Sequence, residues 1–496
     1  MTRLADGVRA AGVLLHPTSL PGPYGIGDVG DEVIALFDWM RGAGLRIWQM
    51  LPLNPPGYGN SPYGCLSSYA GNPLLISPAH LVRDGLLPPH DAPSLPADYV
   101  AFDRVCAFKT ALLRQSFAHF RATASDEQRA ALQAFERDNA WLPDWALFAA
   151  LKAQNDDREW TAWPRELAFR DKEAIARARR ELAEEIRFHK YVQWLFFTQW
   201  AAVRRAADAR GIELMGDVPI YVAWDSADVW ANRHLFQLDE NGAPTVVAGV
   251  PPDYFSATGQ RWGNPIYRWD ALKETRYRWW VSRIRAALRF ADVIRIDHFR
   301  GFAAYWEIPA SEPTAIHGRW MPGPGRALFD AVRSALGDLP LVAEDLGHIT
   351  AEVHELRRAI GIPGMRILQF GFAQPHSPHL PHCYPRETVV YTGTHDNDTA
   401  RGWYEHASAT ERAFAALYLG THVADDAPWA LIRAAYTSVA ETAIVPVQDI
   451  LGLGSEARMN KPGHEKDNWS WRLREGALTA DHAERLRKLG ELSGRG

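Results

Sequence analysis

Short apolar runs that end in polar or glycine-rich sequence alternate along the chain with longer stretches whose apolar residues recur at helical spacing. Eight of the short runs read as strands: Gly12 to Leu15, Ile47 to Leu51, Glu213 to Val218, Val293 to Asp297, Leu341 to Glu344, Met365 to Phe370, Val389 to Thr394 and Ile444 to Gln448. Helical patterns separate most of them. In Asp31 to Gly42, Val33, Leu36, Phe37 and Met40 fall on one helical face, and the pattern stops before Gly42 and Gly44. Repetition of strand, helix, strand implies parallel pairing. Eight such units predict an α/β fold, a closed (β/α)8 TIM barrel, although a doubly wound open sheet would give a similar string.

The polar strand ends favour the barrel. In DVIRIDHF, period two sends Val293, Arg295 and Asp297 to one face and Ile294 and Ile296 to the other. The isoleucines can then face helices while Arg295 and Asp297 face the barrel axis. Two long connections interrupt the spacing, Asn54 to about Arg210 and Tyr221 to about Phe290, and read as insertions. The expected organisation is one catalytic barrel over 1–496 with inserted, largely helical subdomains: 54–210 between strands two and three, and 221–290. Within them, the mixed-charge stretch Lys172 to Lys190 reads as a solvated helix face, and Gly249 to Tyr267 reads as a loop rich in Pro, Gly and aromatics.

Composition narrows the function by exclusion. With 47% hydrophobic and 23% charged residues, the 496-residue chain has an ordinary globular make-up. A net charge of -5 provides no basic field for a nucleic-acid partner. Cys65, Cys106 and Cys383 are far apart, which argues against a disulfide scaffold or a cysteine-built zinc site and fits a reducing cytoplasm. Arg9 and His16 bracket an apolar stretch too short for a signal-peptide core, and no run of about 20 apolar residues is present to cross a membrane. The 20 tryptophans tilt the reading slightly toward carbohydrate, since aromatic rings pack on the C–H faces of sugars, but for any single Trp a core position is the simpler reading.

Active sites of such barrels lie at the C-terminal ends of the strands, so the polar residues ending strand patterns are the candidates. They are acidic: Asp217 ends the third strand, Asp297 the fourth and Glu344 the fifth, and Asp396 follows the seventh. Cleaving a glycosidic bond with retention needs one carboxylate to attack the anomeric carbon and one protonated carboxyl for the leaving oxygen, roughly 5–5.5 Å apart. Neighbouring strand ends, about 4.8 Å apart, can hold Asp297 and Glu344 at that separation. Arg295 would favour the ionised form of Asp297, and Glu344 would need a raised pKa. Each acid taken alone reads more simply as a helix cap or an ion pair. The coincidence of three at three strand ends, two of them beside His298 and His395, shifts the reading to catalysis. Two other classes fit the same residues: a metal-dependent barrel enzyme with His298, Glu344, Asp345, His395 and Asp396 as ligands, and a non-catalytic glycan-binding barrel.

Longer segments carry a family resemblance: GVLLHPTSLPGPYGIGD, SPYGCLSSYAGNPLLIS, GDVPIYVAWDSADVW, GVPPDYFSATGQRWGNPIY, VIRIDHFRGF, VAEDLG, YTGTHDNDT and LGLGSEARMNKPG. From about Gly12 to about Leu473 the sequence resembles the amylomaltases, the 4-α-glucanotransferase or disproportionating-enzyme family allied to the α-amylase superfamily. The resemblance implies transfer of α-1,4-glucan segments between sugar chains, with an α-glucan hydrolase using the same acids as the nearest alternative. It implies that Asp297 is the nucleophile, Glu344 the general acid/base and Asp396 a third acid that distorts the sugar through its ring hydroxyls. Arg295, His395 and Asp217 would hold the donor sugar, with Tyr63 stacking beneath it and His298 counted among the substrate contacts. Tyr254, Phe255, Gln260 and Trp262 would belong to a lid over the glucan at 249–267, and Asn460 and Pro462 to the opposite rim. Maltooligosaccharides are the implied partners; no cofactor and no metal are implied. One position departs from the family: Ala373 stands after LQFGF, where an Asp is common, which puts one donor-side hydrogen bond in question.

Overall fold

The computed structural model describes residues 7–252, 256–420, 426–464 and 466–496. Twelve strands follow in chain order: β1 (Ala10–Leu14), β2 (Ile47–Gln49), β3 (Glu213–Pro219), β4 (Val246–Val250), β5 (Gln260–Pro265), β6 (Val293–Asp297), β7 (Ala304–Pro309), β8 (Arg319–Pro322), β9 (Leu341–Ala343), β10 (Gly364–Ile367), β11 (Thr388–Tyr391) and β12 (Thr442–Pro446). Eight of them form one parallel sheet in the order β10-β11-β12-β1-β2-β3-β6-β9. These eight coincide with the eight runs read from the sequence, with ends shifted by up to three residues. The sheet curls until its edges meet. Across that seam the Ala343 N–H donates to the Pro363 carbonyl at 2.9 Å, and the Met365 N–H donates to the Asp345 carboxylate at 2.7 Å. The result is a nearly closed barrel.

Period two along β6 sorts its side chains as expected. Val293 joins Leu14, Ile47, Met215, Val342, Met365, Val389, Tyr391 and Ile444 in the cluster that fills the barrel interior. Ile294 and Ile296 belong to the cluster formed with the surrounding helices. The barrel is therefore a packed core with its chemistry confined to the rim. Helix Asp31–Gly42 buries Val33, Leu36, Phe37 and Met40, the residues its periodicity picks out.

Between β2 and β3 the chain is helical, with long helices at Phe102–Thr123, Asp126–Asp138, Leu142–Gln154 and Ala183–Asp208. Helix Lys172–Glu181 buries Ala174, Ile175 and Ala178 and leaves most of its charged residues in solvent. The connection between β3 and β6 is different. It contributes β4 and β5 to a four-stranded sheet of order β5-β4-β7-β8, whose other two strands come from the segment after β6. All its pairings are antiparallel. The inserts are largely helical, with helices at Ala227–Ala231, Trp269–Glu274 and Arg278–Phe290 beside these two strands, but the reading of Gly249 to Tyr267 as a loop is corrected, since Gln260 and Trp262 lie on β5. The reason is burial: β5 and β8 are short, mostly exposed edge strands and show no alternation of apolar and polar positions.

Tryptophan serves mainly as core, as the simpler reading held: Trp48, Trp160, Trp200, Trp230 and Trp280 are fully buried, while Trp262 and Trp320 are exposed. Among the described residues no helix is long and apolar enough to cross a membrane.

At the opposite end from the acids, Arg495 is buried and donates to five backbone carbonyls, those of Ala10, Tyr436, Ser438, Ala440 and Glu441, at 2.6 to 3.4 Å. Arg9 reaches the carbonyls of Tyr436, Ser438, Ala440 and Ser493. Replacing Arg495 by Met leaves several buried acceptors unsatisfied and should lower stability by about 3 kcal/mol. Denaturant titration should show that loss, while kcat of the folded protein stays at the parent value because the rim is untouched.

Candidate active site

Strand register builds the site. Asp217 of β3 pairs with Arg295 of β6, and Ile296 of β6 pairs with Ala343 of β9. Asp217 and Arg295 therefore stand side by side, and Asp297 and Glu344 each come one residue after a paired position on neighbouring strands. The Glu344 N–H donates to the Ile296 carbonyl at 3.0 Å and the Phe299 N–H to the Glu344 carbonyl at 3.1 Å, which carries the alignment past the end of β9.

Arg295 is the hub. Its Nη1 donates to Asp217 Oδ2 at 2.6 Å and its Nη2 lies 3.0 Å from Asp297 Oδ1. Burial works against a charge on Arg295, but the carboxylates of Asp217 and Asp297 outweigh it and hold the guanidinium pKa well above its ordinary value. Asp217 also accepts from the Tyr63 hydroxyl at 2.8 Å. Burial pushes the Asp217 carboxyl up to about 7, with Arg295 and Tyr63 pulling the other way. The Tyr63 phenol is itself raised by burial and by Asp217, so it stays a donor.

Glu344 has a different environment. Its Oε2 accepts the His298 N–H at 2.7 Å and its Oε1 accepts the Leu346 N–H at 2.9 Å. The first bond depends on local backbone: His298 has φ 51°, a left-handed conformation that turns its N–H toward the carboxyl. Two N–H donors favour the carboxylate, yet burial, reinforced by the nearby charge of Asp297, pushes Glu344 up to about 8. Glu344 is 9% exposed, whereas the Asp297 side chain is 30% exposed, so one carboxyl is enclosed and the other opens toward the mouth.

The remaining candidates surround this pair. Tyr63 stacks on His395 with ring centroids 5.1 Å apart and 14° between planes. Burial lowers the His395 pKa. Asp396 is 46% exposed and lies 3.4 Å from His395 Nε2, and its Oδ1 accepts from the Asn460 amide at 2.6 Å. Trp262 meets His298 edge-on at 4.8 Å, and its indole N–H donates to Gln260 Oε1. Pro462 is exposed two residues beyond Asn460. Tyr254 and Phe255 lie outside the described residues. Ala373 is exposed just past the turn Leu368–Gly371.

The five residues of the metal-site alternative do not converge. Asp345 turns away from Glu344 to the seam, where it accepts from Met365 and faces Arg357 and Arg366 at 3.5 Å. Among the described residues, no group of three or more His, Cys, Asp or Glu side chains is arranged to hold a metal ion. Two residues of the site were not foreseen. Trp469 packs against both Tyr63 and His395, at 5.9 and 6.0 Å between centroids, and nothing in its sequence surroundings marks it. Arg458 donates to the Asp396 carbonyl at 2.5 Å and stands two residues before Asn460, inside a segment that the sequence had already flagged.

A parallel barrel with an enclosed carboxyl and a more open one on adjacent strand ends fits an enzyme of glycosidic-bond chemistry. Comparison with known proteins makes this specific. The sequence profile of the 4-alpha-glucanotransferase family matches residues 15–479. The chain is 51% identical over 496 residues to a 4-alpha-glucanotransferase of Thermus thermophilus, covering 98% of this chain and 99% of that one. It is 47% identical over 497 residues to a 4-alpha-glucanotransferase of Synechocystis, covering 98% of each. The solved structure of the amylomaltase from Streptococcus agalactiae in complex with acarbose superposes with a TM-score of 0.96 at 36% identity, covering 98% of this chain and 100% of that one. The chain belongs to the 4-α-glucanotransferase family, the amylomaltases, and its activity is that of a glucan-transferring enzyme.

The raised pKa of Glu344 gives a pH dependence with a definite sign. The proton is present below its pKa and is lost as pH rises through about 8, which removes the acid form. A profile of kcat/KM from about pH 6 to about pH 10 should fall on the basic side with a midpoint near 8; a profile flat to the upper limit would refute the assignment.

Proposed function

We propose that transfer proceeds in two retaining steps, with Asp297 as nucleophile and Glu344 as acid, then base. Asp297 attacks the anomeric carbon and the C–O bond to the departing chain breaks, while Glu344 gives its proton to the leaving oxygen. The 4-hydroxyl of an acceptor glucan or glucose then gives its proton to Glu344 as its oxygen displaces Asp297, restoring both groups. The observation that carries this reading is the register of β6 on β9. It sets Asp297 and Glu344 on adjacent strand ends, where a spacing of about 4.8 Å approaches the roughly 5–5.5 Å of retaining pairs.

The other residues take roles around that pair. Tyr63 stacks under the donor sugar, Asp217, Arg295 and His395 hold it, and Asp396 bonds its ring hydroxyls as they move toward the flattened transition state. His298, Gln260 and Trp262 line one side of the glucan path and Asn460 and Pro462 the other; the family resemblance adds Tyr254 and Phe255 as substrate contacts. The segment 249–267 acts as a lid that favours a sugar acceptor over water by excluding solvent. The whole chain works as one catalytic unit, with 54–210 and 221–290 as insertions on the barrel. The substrates are α-1,4-glucans and maltooligosaccharides, and the place of action is the cytoplasm, without a nucleic-acid or membrane partner.

Incubation with maltotriose tests this directly. A ladder of longer maltooligosaccharides together with glucose is expected, and the Asp297→Asn variant should lose about 10⁴-fold or more in rate. Only shorter sugars would make the protein a hydrolase. An Asp297→Asn variant as fast as the parent would overturn the assigned nucleophile.

A further inference from the structure

β11 ends at Tyr391, so no sheet ladder reaches Asp396. Its loop is turned locally by Asn397, whose side-chain oxygen accepts from the Thr394 N–H and hydroxyl at 2.9 Å each. Locally the Asp396 N–H donates to Thr394 Oγ1 at 3.3 Å and His395 Nε2 lies 3.4 Å from Oδ1; the bonds to its carbonyl and a second contact to Oδ1 come from the segment after β12. Arg458 Nη2 donates to the Asp396 carbonyl at 2.5 Å and Arg458 Nε donates to the Asn460 carbonyl at 2.8 Å. Asn460 in turn gives its side-chain N–H to Asp396 Oδ1 at 2.6 Å and its backbone N–H to the His395 carbonyl at 3.0 Å. One planar guanidinium thus closes a ring of bonds through Asp396 and Asn460. Farther along the same segment, the Trp469 N–H donates to the Met459 carbonyl at 2.7 Å, and the indole packs on Tyr63 and His395.

We infer that Arg458 is a positioning residue for the transfer reaction, acting through Asp396. It ties the loop after β11 to the segment after β12, so that Asp396 meets the donor sugar with Oδ1 held by Asn460 and Oδ2 left to the ring hydroxyls. Arg458 binds backbone carbonyls on both sides, those of Asp396 and Asn460. Its effect is on the aim of a carboxylate that must bond more tightly to the distorted sugar than to the relaxed one, and this separates kcat from KM. The fork geometry is specific to arginine, since a lysine ammonium does not present two divergent N–H groups in one plane. The inference rests on the reading of Asp396 as the third acid, and the test separates the two.

Arg458→Met should lower kcat on maltotriose by about 10²-fold, the scale of an ångström-sized misplacement, with KM changed by no more than about 2-fold. Arg458→Lys should recover little of the loss, and it provides a second variant if the Met protein folds poorly; thermal melting of both checks the fold. In an Asp396→Asn background, assayed with an α-maltosyl fluoride donor, Arg458→Met should cost less than about 3-fold, because the group it aims is already disabled. The same fold-loss in both backgrounds would show a general structural role and overturn the inference, as would an unchanged kcat or a loss confined to KM. If Asp396→Asn alone kept the parental kcat, the third-acid reading would fail, and the bridge would have nothing to aim.

Discussion

Near the mouth of the barrel a guanidinium with 4% exposure lies between two carboxylates, one of them wholly buried. A cation so far from water is tolerated only when its partners are close and well aligned, and removing one partner from such a pair costs about 3–5 kcal/mol. That demand fixes the surrounding geometry. Asp217 must sit beside Arg295 across the β3–β6 ladder, and Asp297 must follow on the same face of the strand. The Asp297 carboxylate is thus directed by the fold itself, as a preorganised site requires.

The same strand ends make two chemically identical groups unlike. Asp297 keeps contact with solvent and a cation, whereas Glu344 is enclosed and has an anion for a neighbour. Such a difference is what the proposed roles of attacking base and proton donor require, without any residue being unusual in itself. The backbone contributes as well. His298, in a left-handed conformation, supplies an N–H to Glu344, so the residue following Asp297 helps to orient its neighbour. His298 is itself kept neutral, pushed down to about 3 by burial, so it places no second cation beside the pair.

The barrel was legible because each of its strands is buried on both faces and reads as an apolar run, while a single polar strand end, as in RIDHF, reveals which face looks inward. Asp297 and Glu344 were legible for the same reason, since they stand where apolar runs stop; Asp217, read as ending its strand, is instead followed on β3 by Val218 and Pro219. The small antiparallel sheet was not. β8, with Arg319, Trp320, Met321 and Pro322, buries none of its residues and earned no periodic signal. Trp469 and Arg458 escaped for another reason: their partners lie more than sixty residues away in sequence, and only tertiary structure brings a side chain of one loop onto the backbone of another. The family resemblance pointed to Gln260, Trp262, Asn460 and Pro462, which periodicity could not single out.

The four-stranded sheet has a consequence through its connectivity. β4 and β5 precede β6 in the chain and β7 and β8 follow it, yet β4 and β7 are hydrogen-bonded neighbours. The plate is therefore tethered on both flanks of the strand that bears Asp297, like a visor riveted at each temple. Because the β4–β7 ladder joins the two flanks, a pull on either one is shared with the other and not taken up by a slack loop.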